Sequence, residues 1–391
     1  MVASLVLTFG CSSTRQAGDG GGGKGGAGGV KVSDTGGSGG SVVPDASQPQ
    51  IDFGQPPPDS GPVTCPTSPP YDESDQALLA ACTRPVVVGV GNGLRRTSSY
   101  DGQSWQYDVW FPNSDADQNE NSHRDVAIGN GLIVIVGDAG ILVSADGGAT
   151  YSNPNTARMH VSTVTFFKGA FWVVSSEGTF SSSDGVTWMA WADTSLPGNL
   201  PGAYSGRASA TDGQRLLAID SIDNSYRVFD GSSWVEHALS SSYGSLGTVG
   251  YGGGLFVMLG DNCCDTTMYA GLRAASHDGG QTFTLVTNAS PGASDLRFGD
   301  AITWTGAAFF ATGSEYDTRG YDSTDGLVWS QHQMNVAIGA LAEFQGAIIG
   351  SKGNVLYRST DETNWTATHT AVGDAQWGFT RIATGHVLLA H

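Results

Sequence analysis

Ser276-His277-Asp278-Gly279-Gly280-Gln281-Thr282-Phe283 is one copy of a short pattern that recurs down the chain. Ser144-Ala145-Asp146-Gly147-Gly148-Ala149-Thr150-Tyr151 has the same form, and Ser99 to Trp105, Ser182 to Trp188, Val228 to Trp234 and Ser323 to Trp329 are one residue shorter. A degenerate copy, Ser359-Thr360-Asp361-Glu362-Thr363-Asn364-Trp365, closes the series. The aspartates, Asp101, Asp146, Asp184, Asp230, Asp278, Asp325 and Asp361, are separated by 45, 38, 46, 48, 47 and 36 residues. That period matches one four-stranded blade of a propeller. Each copy reads as a hairpin lock, because an aspartate accepts from its own turn's N–H groups, glycine permits positive φ and the aromatic residue packs inward.

Outward from the locks, short β-branched runs alternate with turn signals. Asp125-Val126-Ala127-Ile128, Leu132-Ile133-Val134-Ile135-Val136 and Ile141-Leu142-Val143 are separated by Asn130-Gly131 and Ala139-Gly140, which read as strands and hairpins. Phe171 to Val174, Leu255 to Met258 and Ala308 to Ala311 take the equivalent second-strand place in other units. Three strands precede each lock and one follows. The fold class is therefore all-β, a seven-bladed β-propeller of four-stranded antiparallel blades over residues 85–391. Gln376 to Ile382 is expected to be an orphan first strand that joins the N-terminal blade and closes the ring. Val387-Leu388-Leu389-Ala390 is left without a place.

The repeats resemble the Asp-boxes, or BNR repeats, of sialidases, sortilin-type receptors, a photosystem II assembly factor and some glucan hydrolases. The resemblance implies that the boxes sit between third and fourth strands, away from the ligand face, so the seven aspartates are structural. It also implies that ligands lie at the opposite loops or in the central channel. Arg124, Arg158, Arg207 and Arg297 fall at or just before first strands, and sialidases hold a substrate carboxylate with an arginine triad. The alternative is that each pairs with a neighbouring acid such as Asp125 or Asp295. Sialidases use a glutamate-activated tyrosine nucleophile, and Glu315 and Tyr316 are adjacent in one top-face loop, although side chains adjacent in sequence often diverge. The early Arg-Ile-Pro signature of sialidases is missing, the one Arg-Ile being Arg381-Ile382 before Ala383.

A net charge of −19, with 18 basic against 37 acidic residues, excludes a polyanion-binding surface and with it nucleic acid as a partner. Residues 1–11 resemble a bacterial lipoprotein signal, an apolar run ending in Gly10-Cys11, which makes Cys11 the expected lipid attachment point. A lipid anchor rather than a transmembrane helix is thus expected, in the bacterial periplasm or outer membrane or outside the cell. Residues 12–62 are rich in Gly, Ser, Asp and Pro and bury too little to offset ordering, so they read as a disordered tether. In residues 63–84, Asp72 to Ala81 reads as a short helix with an acidic first turn, stapled by a Cys65–Cys82 disulfide. Cys263-Cys264 lacks zinc-site spacing and reads as a vicinal disulfide or two thiols. Asp115, Asp117 and Asn119 place oxygens at alternate positions as a calcium loop does, against the plainer reading of a solvated acidic loop. His123 and His160 have no ligand partner at metal spacing, and no other cofactor is expected. The functional expectation is a monomeric binding or assembly scaffold for an envelope protein or glycan. Its alternative is a secreted glycoside hydrolase of sialidase or glucanase type.

Overall fold

In the computed structural model the described residues are 63–110, 122–138, 140–154, 161–175, 178–191, 209–220, 225–238, 246–260, 271–286, 301–313, 316–373 and 378–389. Their strands form seven antiparallel sheets. Written from the inner strand outward, blade one is Phe379–Leu388, Thr83–Gly91, Arg95–Ser99 and Trp105–Val109, and blade two is His123–Gly129, Leu132–Gly137 and Gly140–Ser144. Blade three is Val161–Phe167, Ala170–Ser175, Gly178–Ser182 and Met189–Ala190; blade four is Ser209–Thr211, Leu216–Asp220, Ser225–Phe229 and Trp234–Ala238. Blade five is Leu246–Gly252, Leu255–Gly260, Leu272–Ser276 and Thr284–Val286; blade six is Ile302–Trp304, Phe309–Thr312, Arg319–Ser323 and Ser330–Gln333. Blade seven is Leu341–Phe344, Ala347–Lys352, Val355–Ser359 and Thr366–Thr370. In blade two the fourth position is held, among the described residues, by a bridge between Val143 and Ser152, and Pro154 then removes a ladder donor.

Each inner strand touches the inner strands of both neighbouring blades, and blade seven returns to blade one. The ring is closed. Its apolar core is divided into seams between blades, which explains why the second strands are apolar on both faces: Leu132–Gly137 and Leu255–Gly260 are buried throughout. Ile133 and Ile135 face blade one beside Val86, Val88 and Val90, while Val134 and Val136 face blade three beside Val164 and Phe171. Near the axis, one blade's glycine receives the next blade's side chain. A Cβ on Gly129 would lie 2.2 Å from the Phe166 ring, and one on Gly252 would lie 2.1 Å from Trp304. Only a hydrogen fits in either place.

Closure is made by the C-terminal strand, whose ladder with blade one runs from Thr83 opposite Leu388 to Gly91 opposite Phe379. Val387 and Leu388, unplaced from sequence, continue this same strand past Gly385. Glycine there resembles a strand end, but it is a strand interior against which Ile128 packs, 2.6 Å from a hypothetical Cβ. Before the ring, a helix spans Gln76–Cys82. Its acids precede it instead of forming its first turn: Asp75 is the N-cap and accepts from the N–H groups of Ala77 and Leu78 at 3.0 and 3.1 Å. Cys82 is bonded to Cys65, and blade one begins at Thr83. Tyr71 donates from its backbone to the Asn130 carbonyl at 3.2 Å and from its hydroxyl to the His386 carbonyl at 3.1 Å. This segment therefore lies at the end of the ring that holds the first-to-second-strand turns. No helix among the described residues is long and apolar enough to cross a membrane.

Candidate functional site

The seven aspartates define one rim. In the shorter turns Asp101, Asp184, Asp325 and Asp361 accept from the N–H groups two and three residues on; Asp184 does so at 2.8 and 2.7 Å. Asp230 does the same without a preceding serine partner. The extra glycine of the longer copies moves the acceptor's reach to the fourth residue, so Asp146 and Asp278 each accept from a threonine N–H at 2.9 Å. Indoles donate back into the turn, Trp188 to Gly185 at 2.9 Å and Trp329 to Gly326 at 3.0 Å. Neighbouring turns on this rim also join: Lys168 donates to the Asp230 carbonyl at 2.6 Å and Arg215 to that of Asp278 at 2.8 Å. These carboxylates are consumed by their turns.

The other rim holds the connections from an outer strand to the next inner strand, and from second to third strands. The channel runs from that rim between the inner strands and encloses a cavity of about 340 Å³ to which all seven blades contribute. Asp125, Thr165, Ser209, Thr248, Thr380 and Arg381 supply its polar lining, and Ile128, Phe166 and Ile302 its apolar part. Asp125 is held from three directions. Its carboxylate accepts from Val126 N–H at 2.9 Å, from the Thr163 hydroxyl at 2.7 Å and from Val164 N–H at 3.0 Å. Arg381 Nε lies 4.0 Å from Asp125 Oδ1, and its Nη1 donates to the Thr380 carbonyl at 2.8 Å. Burial pushes the Asp125 carboxyl above its ordinary range, against the opposing pull of Arg381 and these hydrogen bonds. The lining thus offers a fixed carboxylate, a guanidinium and hydroxyls to a polar group entering along the axis.

Arg124 is not among the residues that line the cavity. It turns the other way and its Nε donates to Asp138 Oδ1 at 2.9 Å, while Asp138 Oδ2 accepts from Ser122 N–H at 3.0 Å. Tyr316 is 87% exposed in the loop before Arg319–Ser323, where Asp317 and Arg319 form an ion pair. Arg158, Arg207, Arg297, Glu315, Cys11, Asp115, Asp117, Asn119, Cys263, Cys264, Asp295 and His160 lie outside the described residues. Among the described residues no group of three or more His, Cys, Asp and Glu side chains is arranged to hold a metal ion. His123 is buried, and desolvation with Arg96 nearby holds its imidazole down at about 3, so it is neutral.

Sequence reasoning missed the arginines on third strands. Arg95, Arg227 and Arg273 are 0%, 3% and 2% exposed. Arg273 donates to the carbonyls of Leu327 and Gly271, both at 3.0 Å, Arg227 pairs with Glu236, and Arg95 donates to the Val372 carbonyl at 2.7 Å between the Trp110 and Phe379 rings. A cation on an otherwise buried strand was the available signal.

No family model matches the chain, and no curated protein matches it. Among solved structures it is similar to one described as YCF48 bound to D1 peptide, with a TM-score of 0.51 and 17% identity over 69% of this chain and 88% of that one. It is also similar to YCF48 from Cyanidioschyzon merolae (TM-score 0.46, 13% identity, 63% of this chain, 85% of that chain). A chain of a nidogen/laminin complex gives a TM-score of 0.45 and 9% identity over 78% of this chain and 99% of that one. The first likeness, at this identity, is one of fold.

Proposed function

We propose that the chain is an extracytoplasmic, lipid-anchored propeller that binds or helps assemble an envelope protein through the rim opposite the aspartate turns and through the mouth of the channel. The observation that carries this reading is the contrast between the two rims. On the aspartate rim the first-to-second-strand turns are short in the six blades that have one, two residues at 130–131, 168–169, 253–254 and 345–346 and four at 212–215 and 305–308. On the other rim the connections differ from blade to blade, from residues 239–245 and 334–340 to residues 110–122, 191–208 and 287–301. Variable loops on a rigid ring are where binding specificity is placed.

Three further points support it. A ring of this fold, YCF48, is described in complex with a D1 peptide, which makes a polypeptide partner the leading class here. The repeats resemble Asp-boxes, whose rim faces away from ligand. The Cys65–Cys82 bond suits an oxidising compartment, and Cys11 with residues 12–62 would supply the lipid and the tether. Residues 63–82 meet the ring on the aspartate rim, away from the variable rim.

The test is a pull-down from native envelope with the full chain, comparing wild type with variants in residues 334–340 and 371–373. A partner retained by wild type and lost in both variants supports the scaffold; a partner unaffected by either refutes the assignment of this rim. Palmitate labelling that survives Cys11→Ser refutes the anchor. Turnover of a fluorogenic sialoside or a glucan that Arg124→Ala or Arg297→Ala abolishes would replace the scaffold reading with a glycoside hydrolase.

A further inference from the structure

Six of the seven aspartate turns place a glycine immediately after the aspartate, and all six have positive φ: Gly102, Gly147, Gly185, Gly231, Gly279 and Gly326, between 66° and 98°. In blade seven that position is Glu362, with φ 63°. An L-residue there carries a conformational penalty that glycine does not, so the side chain is the place to look for what offsets it. At this position the other turns rest on the preceding blade through a hydrogen, as Gly185 does against Val143 and Gly326 against Val257. Glu362 instead presents a carboxyl to blade six.

There it faces Asp322, on the third strand of blade six, near enough for each carboxyl to act on the other. Asp322 Oδ1 is buried without a hydrogen-bond partner, and a bond from Glu362 to Asp322 can form only while one proton lies between the two carboxyls. His332, on the fourth strand of blade six, holds the other side. Its Nδ1 is 2.8 Å from Asp322 Oδ2 and its Nε2 is 3.4 Å from the Glu362 carbonyl. Both ring nitrogens therefore face acceptors, an arrangement that uses both only when both carry hydrogen. The ring stacks on Phe310 at 5.8 Å, and Trp365 Nε1 donates to the same Glu362 carbonyl at 2.9 Å. Asp361, in the same turn, is the remaining nearby charge acting on Glu362.

We infer that Glu362, Asp322 and His332 form a proton-dependent clasp between blades six and seven, closed while Glu362 is protonated and loosened when two carboxylates face each other across the seam. The electrostatics agree with the geometry. Burial and the facing Asp322 push the Glu362 carboxyl up to about 7, and Asp322 raises the His332 imidazole. Both folded values lie above the unfolded ones, so both groups contribute stability that is complete at low pH and is lost as pH rises through the folded values. Asp322 itself is held low by His332 and Glu362 despite its burial, and its contribution is lost only on acidification below the ordinary aspartate range.

Thermal unfolding of the full chain, with Glu362→Gln and Glu362→Gly, tests this between pH ~5 and ~8. The glutamine keeps a donor toward Asp322 at every pH, and the glycine restores the residue of the other six turns. Over that range wild type is expected to lose about 3 °C more in Tm than either variant. Exchange of the Trp365 indole hydrogen, corrected for its intrinsic pH dependence, is expected to accelerate about tenfold in wild type and to stay level in Glu362→Gln. A wild-type minus variant Tm difference that is constant with pH overturns the clasp, as does equal indole exchange in the two proteins. If Glu362→Gln fails to fold, the comparison with Glu362→Gly decides alone.

Discussion

Gly252→Ala adds one carbon at the place where blade six enters blade five. The backbone there is ordinary, so the effect is purely one of space. The new Cβ would lie 2.1 Å from Trp304 Cγ, 2.4 Å from its Cβ and 2.4 Å from its Cδ2. These atoms are the root of the side chain and its rigid ring, so no flexible end can move aside. Overpacking in a filled interior costs about 1 to 3 kcal/mol, and overlap with three heavy atoms places this case near the upper end. For a domain of this size that is a fall in Tm of about 3 to 5 °C. The decisive assay is a double-mutant cycle by thermal or denaturant unfolding. Trp304→Ala is itself destabilising because it empties the seam, but in its background Gly252→Ala meets only the remaining Cβ, the contacts with Cγ and Cδ2 being gone, and is expected to cost less by about 1 kcal/mol or more. Additivity of the two substitutions would refute the reasoning, as would a Gly252→Ala protein that melts with wild type.

Reduction, or Cys65→Ser with Cys82→Ser, opens a loop with a sequence separation of 17 and is expected to cost about 3 kcal/mol in the chain-entropy account, read from denaturant midpoints with and without reductant. Deleting residues 379–391 uncovers Val86, Val88 and Val90, each 0% exposed, and should abolish cooperative unfolding; a synthetic peptide of residues 379–388 added in trans should restore it. A truncated chain that melts normally would show that the C-terminal strand does not close the ring. Acid should also destabilise the aspartate rim. Slight burial pulls the Asp278 carboxyl upward, but hydrogen bonds from Thr282, Ser276 and Gln281 outweigh it and hold the group at about 2. Its contribution is complete above the ordinary aspartate value and is lost as pH falls toward the depressed one; at this exposed site it amounts to about 1 kcal/mol or less. The gap in Tm between wild type and Asp278→Asn should therefore close on acidification, and a gap that persists at low pH would show that the carboxylate charge is not what the turn uses.

The blade count was legible because each lock is built from residues within five positions of one another. Asp146 and Thr150, or Asp184 and Thr187, carry their whole interaction in the local sequence. The channel was harder, because it depends on strand parity. Arg124 and Asp125 are neighbours, and neighbours on a strand face opposite sides. The ladder of blade two shifts register between His123 and Asp125, and such a shift redirects side chains in a way composition does not reveal. Arg381 escaped for the same reason, opposite a shift between Val90 and Gly91. Glu362 was visible as a defect in the seventh repeat. Its partners Asp322 and His332 belong to another blade, and nothing local to the turn announces them.

The bond between Cys65 and Cys82 alters how a pull on the chain before Cys65 would travel. The covalent link passes tension straight to Cys82, so the helix Gln76–Cys82 is spared it. Thr83 follows at once, aligned with Leu388, and the Leu389 N–H is bonded to the Cys82 carbonyl at 2.9 Å. Drag therefore arrives along the length of a ladder that runs from Thr83 to Gly91. A pull directed along the strand loads those hydrogen bonds together in shear, so that they share it without unzipping one by one, at the joint that completes the ring.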